Sequence, residues 1–343
     1  MNIQEAISAL IERRDLDAAA MVSVMESVMT GQSTPAQIGG LLVALRMKGE
    51  TPDEIVAAAR VMRQLATRVE VDTAGLVDTC GTGGDASGTF NISTASALVA
   101  AGAGARVAKH GNRSVSSRSG SADVLQALGV RLGVAPEGVA ACIDRVGVGF
   151  LFAPAHHGAM RHAIGPRREL GVRTIFNVLG PLTNPAGAPN QVLGVFSAQW
   201  VRPLADALQK LGSRHVLVVH AEDGLDEISI TAPTRVAELR EGAIREYVLT
   251  PEDFGLRRAP LQAIQVDGIE ASAAMIRAVL DAEPGPGRDI VLLNAGAALY
   301  VSGRTSSHAE GVAEAARAID SGAARERLQQ LVELTASLPE WKP

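Results

Sequence analysis

Three short segments between positions 78 and 121 carry residue types that handle phosphate. The first is Cys80-Gly81-Thr82-Gly83-Gly84-Asp85, the second Asn91-Ile92-Ser93-Thr94-Ala95, and the third Lys109-His110-Gly111-Asn112-Arg113-Ser114-Val115-Ser116-Ser117. Glycines lack a Cβ, so a loop built from them can close backbone N–H groups on an anion. A Ser/Thr-capped helix start adds further donors and the positive end of a helix dipole. The third segment supplies side-chain charge and hydroxyls. Three such devices in succession point to a ligand with more than one phosphate group. Farther along, Asp226-Glu227 places two hard carboxylates side by side, which together with phosphate oxygens and water suits Mg²⁺. The glycine segment is neither G-x-x-x-x-G-K-[ST] nor G-x-G-x-x-G, so ATP-type P-loops and dinucleotide folds fit poorly.

The elements that must position these residues change character along the chain. The first seventy residues read as helices only, over roughly 2–13, 16–30, 35–48 and 52–69. Thr34-Pro35-Ala36-Gln37 and Thr51-Pro52-Asp53-Glu54 are capping boxes with proline at the first helical position. Met21, Val24 and Met25 are expected to be exposed apolar positions on this small bundle, which must pack on the rest of the chain, on a second subunit, or on both.

From Leu76 onward, short β-branched runs alternate with Ala-rich helices, the pattern of an α/β fold. Strands are expected at Leu76–Thr79, Ala105–Lys109, Gln191–Val195, His215–His220 and Asp289–Asn294, and helix starts near Thr94, Ser121, Val201 and Ala271. Residues 154–186 break the alternation with helical, Pro- and Gly-punctuated sequence, and 231–260 reads as hairpin strands and loops. The expected architecture is a small all-helical domain over about 1–72, with about 165–188 returning to it, and a large α/β domain over 73–343 with a mostly parallel central sheet. Loops after parallel strands emerge at one carboxyl edge, where ligands bind. The glycine loop, the Lys109 loop and the acidic pair should all meet there.

Composition narrows the function classes. Aromatic content is 3%, too low for base stacking to be a main activity. A formal net charge of -5 without a basic block argues against a nucleic-acid partner. The Ala95–Ala105 run is interrupted before it could span a bilayer, and the start lacks a basic-then-apolar leader pattern, so a cytoplasmic enzyme without a membrane partner is expected. Two cysteines, Cys80 and Cys142, make no disulfide framework and read as unreactive packing residues.

The three segments, together with Arg173-Thr174-Ile175-Phe176-Asn177-Val178-Leu179-Gly180-Pro181-Leu182-Thr183-Asn184-Pro185 and Asp226-Glu227, resemble in order the signature motifs of the anthranilate phosphoribosyltransferases. The resemblance spans nearly the whole chain. It implies transfer of phosphoribose from 5-phosphoribosyl-1-pyrophosphate to the amino group of anthranilate, the second step of tryptophan synthesis, by a homodimer joined through helical domains. Donor contacts are implied at Gly81, Gly83, Gly84, Asp85, Thr89, Asn91, Ser93, Thr94, Lys109, Asn112, Arg113, Ser114, Ser116, Ser117 and Ser121. Anthranilate is implied to meet Gly81, His110, Asn112 and Arg167, the last with a guanidinium fork suited to a planar carboxylate. Two Mg²⁺ ions are implied at Ser93, Asp226 and Glu227. One of His156 and His157 is implied to lie near the acceptor pocket, while Arg168 is expected to face solvent or pair with Glu169. An arylamine is neutral at pH 7, so no general base is assigned. A pyrimidine-nucleoside phosphorylase and a non-catalytic nucleic-acid-binding relative are the alternative readings; an acidic chain with its motifs intact disfavours the second.

Overall fold

The structure is a computed structural model that describes residues 1–85, 87–113 and 119–341. Four helices open the chain: α1 (Ile3–Ile11), α2 (Ala18–Met29), α3 (Pro35–Lys48) and α4 (Pro52–Leu65). Both expected capping boxes form, and Asn2 with Glu5 makes a third at α1. Glu54 does more than cap. Fully buried, it accepts from the Thr51 and Leu16 N–H groups and pairs with Lys48 at 3.0 Å. The α4 helix stops at Leu65, short of the expected 69, because the following backbone turns extended at Ala66.

Next come β1 (Leu76–Gly81), α5 (Ile92–Gly102), β2 (Arg106–Gly111), α6 (Ser121–Ala127), α7 (Pro136–Val146), β3 (Val148–Phe152) and the short α8 (Ala153–His156). The helical insertion contains α9 (Arg161–Leu170) and α10 (Phe176–Leu179). The rest is β4 (Asn190–Gly194), α11 (Val201–Lys210), β5 (His215–Ala221), β6 (Thr234–Arg240), β7 (Ala243–Leu249), α12 (Ile269–Leu280), α13 (Pro286–Val301), α14 (His308–Asp320) and α15 (Ala323–Ser337).

The strands form one sheet in the order β3-β2-β1-β4-β5-β6-β7, parallel from β3 to β5 and antiparallel across the β6–β7 hairpin. Strand alternation sends Val192 and Leu217 to one face, against α5 and α12–α14, and Leu193, Val216 and Val218 to the other. That second face shares a continuous core with the N-terminal helices, α11, and Ile175 and Leu179 of the insertion. The α9 helix packs on α2 and α3, and α10 on α4. No described helix is long and apolar enough to cross a membrane.

Three expectations are corrected. Residues 289–294 are helical, inside α13; every residue from Ile290 to Leu299 is buried, so the run shows no polar face to reveal its period. The β3 strand was missed because Val148-Gly149-Phe150-Leu151-Phe152 follows α7 with only Gly147, in the left-handed region, between them. Met21, Val24 and Met25 are at most 1% exposed and lie within the chain's own core.

Candidate active site

The glycine loop leaves β1 at the carboxyl edge of the sheet. The Thr82 N–H donates to the Gly194 carbonyl at 2.8 Å, and the Thr82 hydroxyl accepts from the Phe196 N–H at 3.0 Å, so the loop is tied to the end of β4. Gly83 and Gly84 sit at φ +66° and +77°, backbone that side-chain-bearing residues rarely adopt. Arg173 donates to the Gly84 carbonyl and stacks over the Phe196 ring at 4.0 Å, clamping the loop from the helical insertion. One loop amide is engaged by another motif: the Gly83 N–H donates to Asp226 Oδ2 at 2.8 Å.

Asp226 and Glu227 follow β5, as the strand-end reading expects. Their approach explains two glycines beneath them, because a Cβ on Gly81 would meet the Asp226 carboxylate and one on Gly194 the Asp226 backbone. Asn294 on α13 holds the next residue by both backbone groups: the Ile228 N–H donates to its Oδ1 at 2.9 Å, and its Nδ2 donates to the Ile228 carbonyl at 2.9 Å. Burial pushes both carboxyls above their ordinary range; the charge of Asp85 adds to this at Asp226, and the charge of Asp226 adds to it at Glu227. Crowded hard carboxylates of this kind fit a divalent cation that completes its shell with phosphate and water. Among the described residues no three His, Cys, Asp or Glu side chains form a complete metal cage.

Asn91 precedes α5, but its side chain makes no bond to the helix backbone; instead it accepts from the Thr94 hydroxyl, and the Asn91 N–H donates to Ser272 Oγ at 3.0 Å. The expected capped start is therefore a helix start whose first-turn amides lack a side-chain partner from Asn91. Buried Lys109 donates to the Thr79 carbonyl at 2.5 Å and to Ser93 Oγ at 3.0 Å, linking the second and third motifs. Burial lowers its amine, opposed by the charges of Asp78, Cys80, Glu227 and Asp226.

Other predicted positions lie farther out or serve the protein itself. Arg113 pairs with Asp123 at 2.6 Å and Gln126 at 2.9 Å, turned onto α6. The Asn112 side chain accepts from the Arg113 N–H, and its carbonyl accepts from Ser121 Oγ at 3.3 Å. Asp85 Oδ1 accepts from the Ser87 N–H, and the Thr89 hydroxyl bonds the Ser87 hydroxyl. Ser114, Ser116 and Ser117 lie outside the described residues. Arg168 and Glu169 are both exposed, with no ion pair between them among the described residues.

At the positions the resemblance implies for the acceptor, His110 and His157 are buried with ring centroids 5.2 Å apart, and the Nε2 of each has no partner among the described residues. Burial holds both rings neutral, His110 well below the ordinary value and His157 at about 4. His156 instead points its Nδ1 at the Thr67 carbonyl, 2.9 Å away. Arg167 is half-buried over the Phe176 ring at 5.1 Å and forms no ion pair among the described residues. Cys80 and Cys142 are buried with their thiols pushed up by desolvation, as packing residues should be.

Two residues that hold the site's loops, Arg173 and Asn294, carry no isolated signal in the sequence. Arg173 opens the Arg173–Pro185 segment, but its partners Gly84 and Phe196 are distant in sequence. Asn294 was hidden by its assignment to a strand.

Comparison with known proteins agrees with this arrangement. A model of the glycosyl transferase family helical bundle domain matches residues 4–66, and one of the family's a/b domain matches residues 73–325. The anthranilate phosphoribosyltransferase of Thioalkalivibrio sulfidiphilus is 70% identical over 337 residues, 98% of this chain and 100% of that relative. The crystal structure of anthranilate phosphoribosyltransferase from Thermus thermophilus superposes with a TM-score of 0.92 at 49% identity, covering 97% of this chain and 99% of the other. The enzyme from Saccharomyces cerevisiae, solved in complex with PRPP and Mg, superposes with a TM-score of 0.89 at 27% identity, covering 98% of each chain. A helical bundle joined to an α/β sheet, matches to both domain models of the family, and full-length identity of this order together establish that the chain belongs to the anthranilate phosphoribosyltransferase family of glycosyltransferase enzymes.

Proposed function

We propose that this enzyme transfers the phosphoribosyl group of 5-phosphoribosyl-1-pyrophosphate to the amino group of anthranilate, releasing pyrophosphate. The observation that carries the reading is the meeting of motifs at one edge, with Gly83 on Asp226 and Lys109 on Ser93. The glycine-loop amides, the α5 N-terminus and Lys109 hold the departing pyrophosphate. Asp226, Glu227 and Ser93 would hold Mg²⁺, two ions in this reading, which when bound supply charge neutralisation at pyrophosphate oxygens.

Anthranilate lies toward His110, Asn112 and Arg167, its carboxylate facing a guanidinium that pairs with no carboxylate among the described residues. Arg167 and the neutral histidines orient the arylamine so that its lone pair faces ribose C1, which becomes oxocarbenium-like as the C–O bond lengthens. The nucleophile is already neutral, so positioning and electrostatics supply the acceleration without a general base, and the proton that the nitrogen sheds once the N–C1 bond has formed passes to the released pyrophosphate or to water. The wider reading comprises the return of 165–188 to the helical domain, a cytoplasmic enzyme, and a homodimer through the bundle. Ile11 and Met47, exposed on neighbouring α1 and α3, support the last point.

The test is loss of anthranilate fluorescence with the donor and Mg²⁺, matched mole for mole by pyrophosphate. Turnover of a pyrimidine nucleoside with inorganic phosphate, and none of anthranilate, would overturn the reading.

A further inference from the structure

We propose that Asp78 is a positioning residue for this transfer, a carboxylate set between β1 and β2 that fixes where the His110–Asn112 segment meets the acceptor; the inference rests on the functional reading above. Registered pairing of β1 with β2 ends at Val77↔Val107, although β1 continues with β4 to Gly81↔Gly194 and β2 with β3 to Gly111↔Phe152. The two central strands therefore part just as they approach the ligand edge.

Side chains take over the ladder in the gap. The His110 N–H donates to Asp78 Oδ1 at 3.0 Å, and the Ala108 carbonyl, two residues earlier on the same side of β2, accepts from Asn184 Nδ2 at 2.8 Å. Asn184 Nδ2 also donates to Asp78 Oδ2 at 2.7 Å, closing the bridge. Asp78 is 1% exposed and touches neither loop tip, so it acts through His110, whose ring lies against His157 on the acceptor side. The carboxylate also places a negative charge beside Lys109. A backbone ladder would hold β2 flush against β1; the Asp78–Asn184 pair holds it apart by a defined distance.

Two variants test this with steady-state kinetics against both substrates. Asp78→Asn keeps the acceptor for the His110 N–H but turns an amide donor toward the Asn184 donor. Asn184→Ala breaks the bridge while leaving the Asp78 charge beside Lys109. Both are expected to raise the KM for anthranilate by about tenfold, the scale of one lost charge-assisted bond, with the donor KM within about threefold of wild type. A purely structural role predicts falling folded fraction and kcat with both KM values fixed, and that result, or a rise in donor KM alone, overturns the proposal. So does failure of both variants to fold by circular dichroism, which would make Asp78 a stability residue. An inactive wild type measured in parallel sinks the functional reading itself, whereas an active wild type with unaltered variants sinks only the role of Asp78.

Discussion

Replacing Gly81 with alanine should act on the metal requirement rather than on the backbone. Gly81 is not in the left-handed region, so alanine brings no conformational strain. Its Cβ would instead press on Asp226 Oδ2 and lie 3.0 Å from Asp226 Cγ. The cheapest relief is rotation of the Asp226 side chain, which gives up the 2.8 Å bond from the Gly83 N–H. A hydrogen bond to a charged group is worth about 1.5–3 kcal/mol. Returning the carboxylate to its place costs the same order, so the Mg²⁺ concentration for half-maximal rate should rise about 10- to 100-fold. The assay is initial rate against Mg²⁺ at saturating donor and anthranilate, with the thermal midpoint of the unliganded protein as a check on folding. Gly83→Ala is the control: its Cβ meets open space, it keeps its N–H, and only the φ of +66° penalises it. The reasoning is refuted if folded Gly81→Ala titrates with Mg²⁺ as wild type does, or if Gly83→Ala shifts the metal curve further.

Arg167→Ala should raise the anthranilate KM by about 10- to 100-fold through loss of a charge-assisted bond to the substrate carboxylate, and a shift confined to the donor KM would contradict it. Glu54→Ala should cost about 3 kcal/mol by urea denaturation, because it strands buried Lys48; the figure is at the low end for a broken buried pair since Asp15 still faces the amine. His308 is held neutral, at about 4 against an ordinary 6.5, by burial beneath Phe254. Its contribution is complete above pH 6.5 and is lost as pH falls toward 4, because the unfolded imidazole takes up a proton first. The raised carboxyls of Asp226 and Glu227 contribute with the opposite sign, weakening as pH rises. The stability difference between wild type and His308→Gln therefore isolates the histidine, and it should shrink between pH 7 and pH 4; parallel pH curves would refute this.

Legibility from the sequence followed the range of the underlying interaction. Capping boxes at Thr34 and Thr51 are contacts over three residues, and both were readable. The amphipathic period of α2 was readable too, but not which surface would cover Met21 and Met25, since that depends on α1, α4 and α9 coming together. The α13 helix was misread because burial on every side erases the alternation that distinguishes a helix from a strand. At the candidate site, the glycine loop, Lys109 and the acidic pair announce themselves by residue type. Asp78 and Asn184, 106 positions apart, do not, since each alone reads as an ordinary strand-end or turn polar residue.

The burial of α13 also has a kinetic consequence. The amides of its buried stretch from Ile290 to Leu299, packed beneath α14 and α5, should be among the slowest in the chain to exchange hydrogen for deuterium. Because Asn294 grips Ile228 from that helix, the acidic pair inherits the stability of the slowest-opening unit. The tip of the glycine loop beyond Thr82, by contrast, is held by one bond from the Gly83 N–H to Asp226 and one from Arg173 to the Gly84 carbonyl, and should exchange through local openings. One wall of the proposed phosphate site is thus expected to breathe many times in the lifetime of the other.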